Sequence, residues 1–508
     1  MIEKGLLLVS LLPAMAAAWI GLALLLGWSR GESAERRTAF LASLASGLSL
    51  LLLLGIDLQV ALHGGTPYPL PGIPWMESVG YRVMIQFTVD RLSLSMATLA
   101  ALLGWLTIRF SVNYLHREVG FHRFFALLSL FVAALLHFLL AGNAVMAFIG
   151  WEMMGVTSYL LIGYALERSQ ASQSATRVMV TNRVGDAGFT VAILLAFAWL
   201  GGSEWPVLAQ AWSLLNSWQL GILSAGFLLA ALVKSAQLPF AAWIGRALEG
   251  PTPSSAIFYG SLMVHAGVYL LLRLQEMLRH SPFLLTLLVI LGGLTALYGV
   301  LLGLVQTDVK NGLIAATQTQ VGLMFLACGL GWFDWVAWHM AAHAAWRAYQ
   351  WLSAPSYMHN MVGPTSPTWQ GLHRFPSLYA AALARFWLDP LTDQLLVRPT
   401  HSLAKDLQSL DDRFINPLLG NAPLERQILS HGGRVEQSSV SGIGLPGRIL
   451  QQVAEWAQWV EDRILSVGGE GMVQTVGNLG RHLARIDQLF SEPRYLVLMI
   501  ILTFVAIL

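Results

Sequence analysis

A lysine stands near the end of an apolar run, Gly221-Ile-Leu-Ser-Ala-Gly-Phe-Leu-Leu-Ala-Ala-Leu-Val-Lys234-Ser-Ala-Gln-Leu-Pro239. Placing an ammonium in hydrocarbon costs on the order of 3 kcal/mol or more, so such a residue is expected to face a polar interior. Pro239 follows five residues later and lacks a backbone donor, which predicts a broken helix there. A titratable amine beside freed backbone at membrane depth is the material of an ion path. A second charge, Glu152, interrupts the apolar run Phe148-Ile-Gly-Trp-Glu152-Met-Met-Gly. Burial raises the pKa of a carboxyl and a nearby cation lowers it again, so the two together suit proton transfer.

Other polar groups lie in apolar surroundings. Arg183 and Asp186 are three residues apart and would be neighbours on a helix. They form either a local ion pair or, through Asp186, a partner for Glu152 or Lys234. His339, His343 and Arg347 recur every four residues and share a helix face, forming a polar stripe. His265 lies in an apolar run of its own. Histidine titrates near neutral pH. Each of these histidines could instead be a hydrogen-bonded packing residue. The stripe lacks an evident third ligand, so no metal site is expected. Lys310 and Asp308 open another apolar run, followed by the polar Thr317-Gln-Thr-Gln320. They read either as interfacial charges or as a continuation of the path.

The elements that must hold these groups are membrane helices. Of 508 residues, 56% are hydrophobic and 11% charged, and the mean hydropathy is +0.60. Soluble domains carry about 25% charged residues. The fold class is therefore all-α, a polytopic helical membrane protein with a discontinuous helix near Pro239. Spans of about 20 residues are expected near 4–28, 38–62, 84–112, 121–141, 143–166, 178–200, 220–245, 254–276, 281–304, 309–331 and 335–356. Met1 to Trp28 reads as the first span rather than a cleaved leader. Basic residues crowd alternate loops (Arg30, Arg36, Arg37, Arg117, Arg123, Arg168, Arg177, Arg246, Lys310). That side is expected to face the cytoplasm, with the N-terminus outside. The single Cys328 excludes disulfides and cysteine-ligated metals. A net charge of +2 gives no reason to expect nucleic acid. No dinucleotide fingerprint, phosphate loop or zinc-protease motif occurs, so no cofactor is expected.

The chain divides by composition. Residues 1–83 hold the first helices, 84–356 the polar-studded core, 357–492 a mixed charged segment and 493–508 a terminal apolar run. In the third part, Ile449, Val453, Trp456, Val460 and Ile464 recur at helical spacing, which predicts amphipathic helices on the cytoplasmic side along the membrane or a partner.

Four segments then point to a family. Phe148-Ile-Gly-Trp-Glu152, Asn182-Arg-Val-Gly-Asp186-Ala-Gly-Phe189, Lys234-Ser-Ala-Gln-Leu-Pro239 and Glu249-Gly-Pro-Thr-Pro253-Ser resemble the proton-pumping antiporter-like subunits of respiratory complex I and Mrp antiporters, in the chain 5 (subunit L) branch. The resemblance covers roughly 85–355. It implies a proton-translocating subunit without a redox site of its own, driven by other membrane subunits of a complex I-like assembly in a plasma membrane. It implies that Glu152 and Lys234 form an ion pair, that Asp186 modulates it, and that His339 and His343 lie on a central axis. Leu388-Asp-Pro-Leu-Thr-Asp393 resembles the stretch before that branch's lateral helix.

Three departures stand out. Tyr259 occupies a place where the family carries histidine, with His265 six residues on. Arg347 replaces a lysine. The second inverted repeat, 281–356, is incomplete. A DabA–DabB-like pair for inorganic-carbon uptake, or a non-conducting structural subunit, therefore remain as alternative readings.

Overall fold

The computed structural model describes residues 2–411, apart from 30, 63–69, 71, 79–80, 261–262 and 361–369. Most of the polar segment expected over 357–492, and all of the terminal run 493–508, lie outside the described residues.

Two long helices, α1 (Ile2–Leu25) and α2 (Glu32–Leu62), open the chain. A short antiparallel hairpin follows, β1 (Ile73–Ser78) paired with β2 (Tyr81–Ile85). Next come α3 (Arg91–Tyr114), α4 (Phe121–Leu140), α5 (Ala144–Ile162) and α6 (Ser169–Leu200). Two short turns, α7 (Trp205–Ala209) and α8 (Ala211–Leu214), lead into α9 (Ser217–Lys234). The helices start where the sequence supplies caps. Asp90 and Ser93 form a reciprocal capping box at α3, as do Asn216 and Gln219 at α9. Asn143 caps α5, and Asp308 caps a later helix that begins at Val309. The expected span over 84–112 therefore begins only at Arg91. Residues before Asp90 belong to the hairpin and an extended link, which the apolar count did not reveal.

α9 stops at Lys234, as the proline predicts. The unwound stretch 235–242 is inside the bundle, where its backbone groups need partners. Trp243 Nε1 donates to the Val233 carbonyl at 2.8 Å, Gln318 Nε2 to the Ala241 carbonyl at 3.1 Å, and Leu238 N to Thr295 Oγ1 at 3.0 Å. The chain resumes in α10 (Trp243–Arg246) and α11 (Thr252–Ser255). The expected span 254–276 is also broken. A π-helical turn over Ala256–Gly260 precedes α12 (Ala266–Arg273) and the short α13 (Gln275–Arg279).

α14 (Pro282–Gly303), α15 (Val309–Gly329) and α16 (Phe333–Asn360) complete the bundle. Among the described residues nine helices are long and apolar enough to cross a membrane: α1 to α6, α9, α14 and α15. α16, which carries the histidine stripe, is long but not among these nine.

One core unites the helices, centred on α4 and its neighbours. Phe124, Phe125, Leu128, Phe131 and Phe138 of α4 are fully buried, with Trp151, Phe189 and Phe227 packed from α5, α6 and α9. The first compact unit extends to residue 401. Its last part contains α17 (Pro376–Leu383), α18 (Leu388–Thr392) and the start of α19 (Arg398–Leu410). This strap is pinned to the helices by charge. Asp389 pairs with Arg246 at 2.9 Å, and Asp393 pairs with Arg177 of α6. The second unit spans 402–508, of which 402–411 are described.

Candidate functional site

The first cluster is gathered by α5, α6 and α9. Lys234 is 1% exposed. Its ammonium donates to the Trp151 carbonyl at 3.2 Å and sits 5.0 Å from the centre of the Trp151 ring, a cation–π arrangement. The same indole donates through Nε1 to Asp186 Oδ1 at 2.8 Å. Trp151 thus joins the buried acid to the buried lysine.

The expected ion pair between Glu152 and Lys234 is not made directly. Among the described residues, no carboxylate contacts Lys234. Arg183 takes both acids instead, Glu152 Oε2 at 2.7 Å and Asp186 Oδ2 at 2.8 Å. The reason is placement. Arg183 lies one helical turn from Asp186 on α6 and reaches Glu152 on α5, while Lys234, at the end of α9, is taken up by the carbonyl and ring of Trp151. The acids therefore share an arginine, which effectively cannot lose its proton. The amine that can titrate is kept one residue away. Space for two cations comes from Gly155. A Cβ built there would lie 3.4 Å from Arg183 Nη2 and 3.5 Å from Lys234 Nζ.

The second cluster lies on α12 and α16. His265 begins α12 as its N-cap and is fully buried. Its Nε2 is 2.8 Å from His343 Nδ1. His343 Nε2 is 3.4 Å from Arg347 Nη2, and Arg347 Nη1 donates to Gln350 Oε1 at 2.8 Å. One turn back, His339 Nε2 is 2.9 Å from Gln320 Oε1 of α15, and its ring centre is 6.2 Å from that of His343. The stripe expected on α16 is present, with His265 added to it by direct contact. His265 Nδ1 is buried without a hydrogen-bond partner among the described residues. That leaves it open for a further donor or acceptor.

α9 and α12 meet closely. A Cβ at Gly267 would lie 2.3 Å from the Ala231 carbonyl and 2.4 Å from Ser235 Oγ. Only glycine fits between the helix that ends at Lys234 and the helix that begins at His265.

One expected residue, Lys310, falls elsewhere, as does Tyr259, which stands where relatives carry histidine. Lys310 donates to Thr252 Oγ1 at 2.9 Å, which also lies 2.9 Å from the Tyr114 hydroxyl. It ties α15 to α11 and α3 and has no contact with the histidines. Tyr259 donates to the Ile244 carbonyl at 2.7 Å, and its ring centre lies 5.0 Å from that of Trp351. It holds the π-helical turn.

Sequence reasoning missed Trp151 and the double engagement of Arg183. A tryptophan next to an intramembrane glutamate was the available signal, since a buried indole N–H needs an acceptor. Gln320, on the polar run 317–320, was likewise named only as part of that run.

Comparison with known proteins adds a frame. A family described as the membrane part of NADH:quinone oxidoreductase/Mrp antiporter matches residues 141–381. A second, described as the N-terminus of complex I chain 5, matches residues 75–125. The chain is 36% identical to NADH-ubiquinone oxidoreductase chain 5 of Rhizopus stolonifer, over 62% of this chain and 48% of that one. It is 34% identical to NADH-quinone oxidoreductase subunit L of Mycobacterium tuberculosis, over 68% of this chain and 54% of that one. It thus spans about half the length of the curated relatives it matches. A solved structure of the Mrp complex from Dietzia is similar in fold, with a TM-score of 0.60 and 22% identity, covering 100% of this chain and 62% of that one.

Proposed function

Because the chain belongs to the family of antiporter-like membrane subunits shared by NADH:quinone oxidoreductases and Mrp antiporters, we propose that it moves protons across a membrane as one subunit of a complex I-like assembly. Electron transfer would take place in partner subunits and reach this chain as a conformational or electrostatic change. The relatives above carry complex I names, which favours this assembly over a DabA–DabB-like carbon-uptake pair.

The observation that carries the reading is Lys234, a buried ammonium beside a helix break and out of direct reach of any described carboxylate. Its charge rests on Trp151, and Trp151 rests on Asp186. A proton arriving at Glu152, the more exposed acid of the pair, weakens its hold on Arg183. Arg183 then bears more fully on Asp186 and draws negative charge away from the Trp151 edge. The ammonium at Lys234 loses stabilisation and releases its proton toward the break. The acceptors on the far side are the imidazoles of His265 and His343, reached past the unwound stretch that follows Lys234. Arg347 would stay charged throughout, so the proton passes beside it.

The side carrying Arg117, Arg123, Arg168, Arg177, Arg246 and Lys310 would face the cytoplasm of a plasma membrane. Residues 364–490 would dock on a neighbouring subunit. The test is proton uptake into vesicles carrying the assembled complex. Lys234→Ala should abolish uptake while the subunits still co-purify. Full uptake by that variant removes the relay.

A further inference from the structure

The proton path proposed above has a second pair of ionisable residues beyond it, Asp90 and Arg273, which no part of that reading uses. Arg273 ends the helix that His265 begins. His265, Tyr269 and Arg273 are four residues apart in turn and lie on one face of α12. At its far end the helix is held firmly. Arg273 binds the Asp90 carboxylate through both terminal nitrogens, one of them at 3.0 Å from Oδ1. It also donates to the Tyr269 hydroxyl from Nε at 3.0 Å and from Nη2 at 2.9 Å. The Tyr269 hydroxyl donates a hydrogen bond to the Leu139 carbonyl, and its ring packs edge-on against Phe138, 5.3 Å away. The Arg273 side chain is 7% exposed and that of Asp90 is 28% exposed. Asp90 is at the same time the cap of α3.

α12 is one short helix between a π-helical turn and this clamp. Its clamped end decides where His265 stands against His343. The clamp also places a charge pair within Coulomb range of the histidines. Arg273 is about 12 Å from His265 along the axis, from a rise of about 1.5 Å per residue. The elements packed on α12 contribute few other charges. α16 brings His339 and Arg347, α9 brings Lys234 with its ammonium turned to Trp151, α15 brings the uncharged Thr317, Gln318 and Gln320, and α13 brings Glu276 and Arg279, which pair with each other at 3.7 Å. Asp90 is the counter-ion that keeps the α12 end of this field near neutral.

We propose that Asp90 and Arg273 are positioning residues for proton transfer at the His265–His343 pair, fixing the far end of α12 and cancelling the charge that faces the imidazoles. The inference rests on the proposed proton path. It assigns the two residues no proton-carrying step. Tyr269 is saturated by its three partners, and arginine keeps its proton.

The test is the pH dependence of proton uptake by vesicles carrying the assembled complex, with Lys234→Ala as control. Asp90→Asn keeps a good helix cap and leaves the Arg273 charge uncompensated. At about 12 Å and an effective dielectric constant of about 20, that charge should move the pH midpoint of uptake down by about one unit. Arg273→Gln leaves Asp90 negative and should move it up by a smaller amount. The double variant Asp90→Asn/Arg273→Gln should bring the midpoint back to that of the unaltered protein, at reduced rate. An unchanged midpoint in whichever single variant is recovered, with only rate or stability lost, overturns the proposal and makes the clamp a strut. If Lys234→Ala also leaves uptake intact, the proton path itself fails. If Lys234→Ala abolishes uptake and the midpoints stay fixed, only this inference fails.

Discussion

Around Lys234, four charged side chains from three helices are packed together, and a fixed arginine holds both carboxylates. Around His343, two further imidazoles and one arginine are arranged along two helices, with neutral glutamines at the edges. The first region stores charge and balances it, two acids against two cations. The second has no acid among its contacts with described residues, and in the proposed path the proton passes through its imidazoles. Burying a charge is costly without a partner, so the first region must be closely paired and should respond sharply to the loss of any member. Neutral imidazoles tolerate burial when hydrogen-bonded, so the second region should lose rate in proportion to the link removed. In the proposed path the first region would act as a switch and the second as a wire.

The largest expected effect breaks the switch. Lys234→Ala and Glu152→Gln should each remove proton uptake by the assembled complex, and the double variant should be no worse than the singles, because both act in one unit. Additive partial losses would show that the two residues work on separate paths.

Trp151 tests whether the indole is the link within the switch. Trp151→Phe keeps a ring beneath the ammonium and deletes the hydrogen bond to Asp186. A bond to a charged group contributes about 1.5–3 kcal/mol, so uptake should drop roughly 10- to 100-fold with the complex intact. Uptake at the original rate would show that Asp186 reaches Lys234 without the indole.

The wire is sharpened by comparing its members. The stripe on α16 alone predicts that His343→Ala should harm uptake more than His265→Ala. The 2.8 Å contact between them changes this expectation to equal losses, with His339→Ala milder because it meets Gln320. Arg347→Lys should keep uptake within a few-fold, since a lysine can still reach Gln350 or His343. Complete loss there would reveal a guanidinium clamp rather than a neighbouring charge.

The smallest effect concerns stability at acid pH. Burial alone would raise the pKa of Asp90, but the hydrogen bond and charge of Arg273, with the donors at Ser93, together hold it below the ordinary carboxylate range. A lowered folded-state pKa gives stability that is complete above the unfolded value of about 3.9 and is lost as pH falls through the folded value. Thermal melts in detergent should therefore weaken below about pH 4 in the unaltered protein, and this part of the acid sensitivity should be missing from Asp90→Asn. Parallel acid profiles would show that Asp90 does not contribute in this way.

Much of the architecture was legible from the order of residues. Long apolar runs specify membrane helices, because backbone polar groups in hydrocarbon must pair within their own segment. Pro239 specifies a break after Lys234, because proline cannot donate. Polar residues inside these runs mark the polar interior of the bundle, because each is costly without a partner. The hairpin over 73–85 was not legible, since it is short and its residues merge with the apolar run that follows. Nor was the true start of the third span, which a cap at Asp90 decides.

The partners were decided by the tertiary structure. His265 and His343 are 78 residues apart, and Asp90 and Arg273 are 183 apart. Helical periodicity tells which face a residue shares with its neighbours one turn away. It does not fix the rotation or depth of one helix against another. That rotation gives Glu152 to Arg183 rather than to Lys234, and puts Trp151 between the lysine and Asp186. Local pattern determined which residues are charged within the membrane, and packing between helices decided which of them touch.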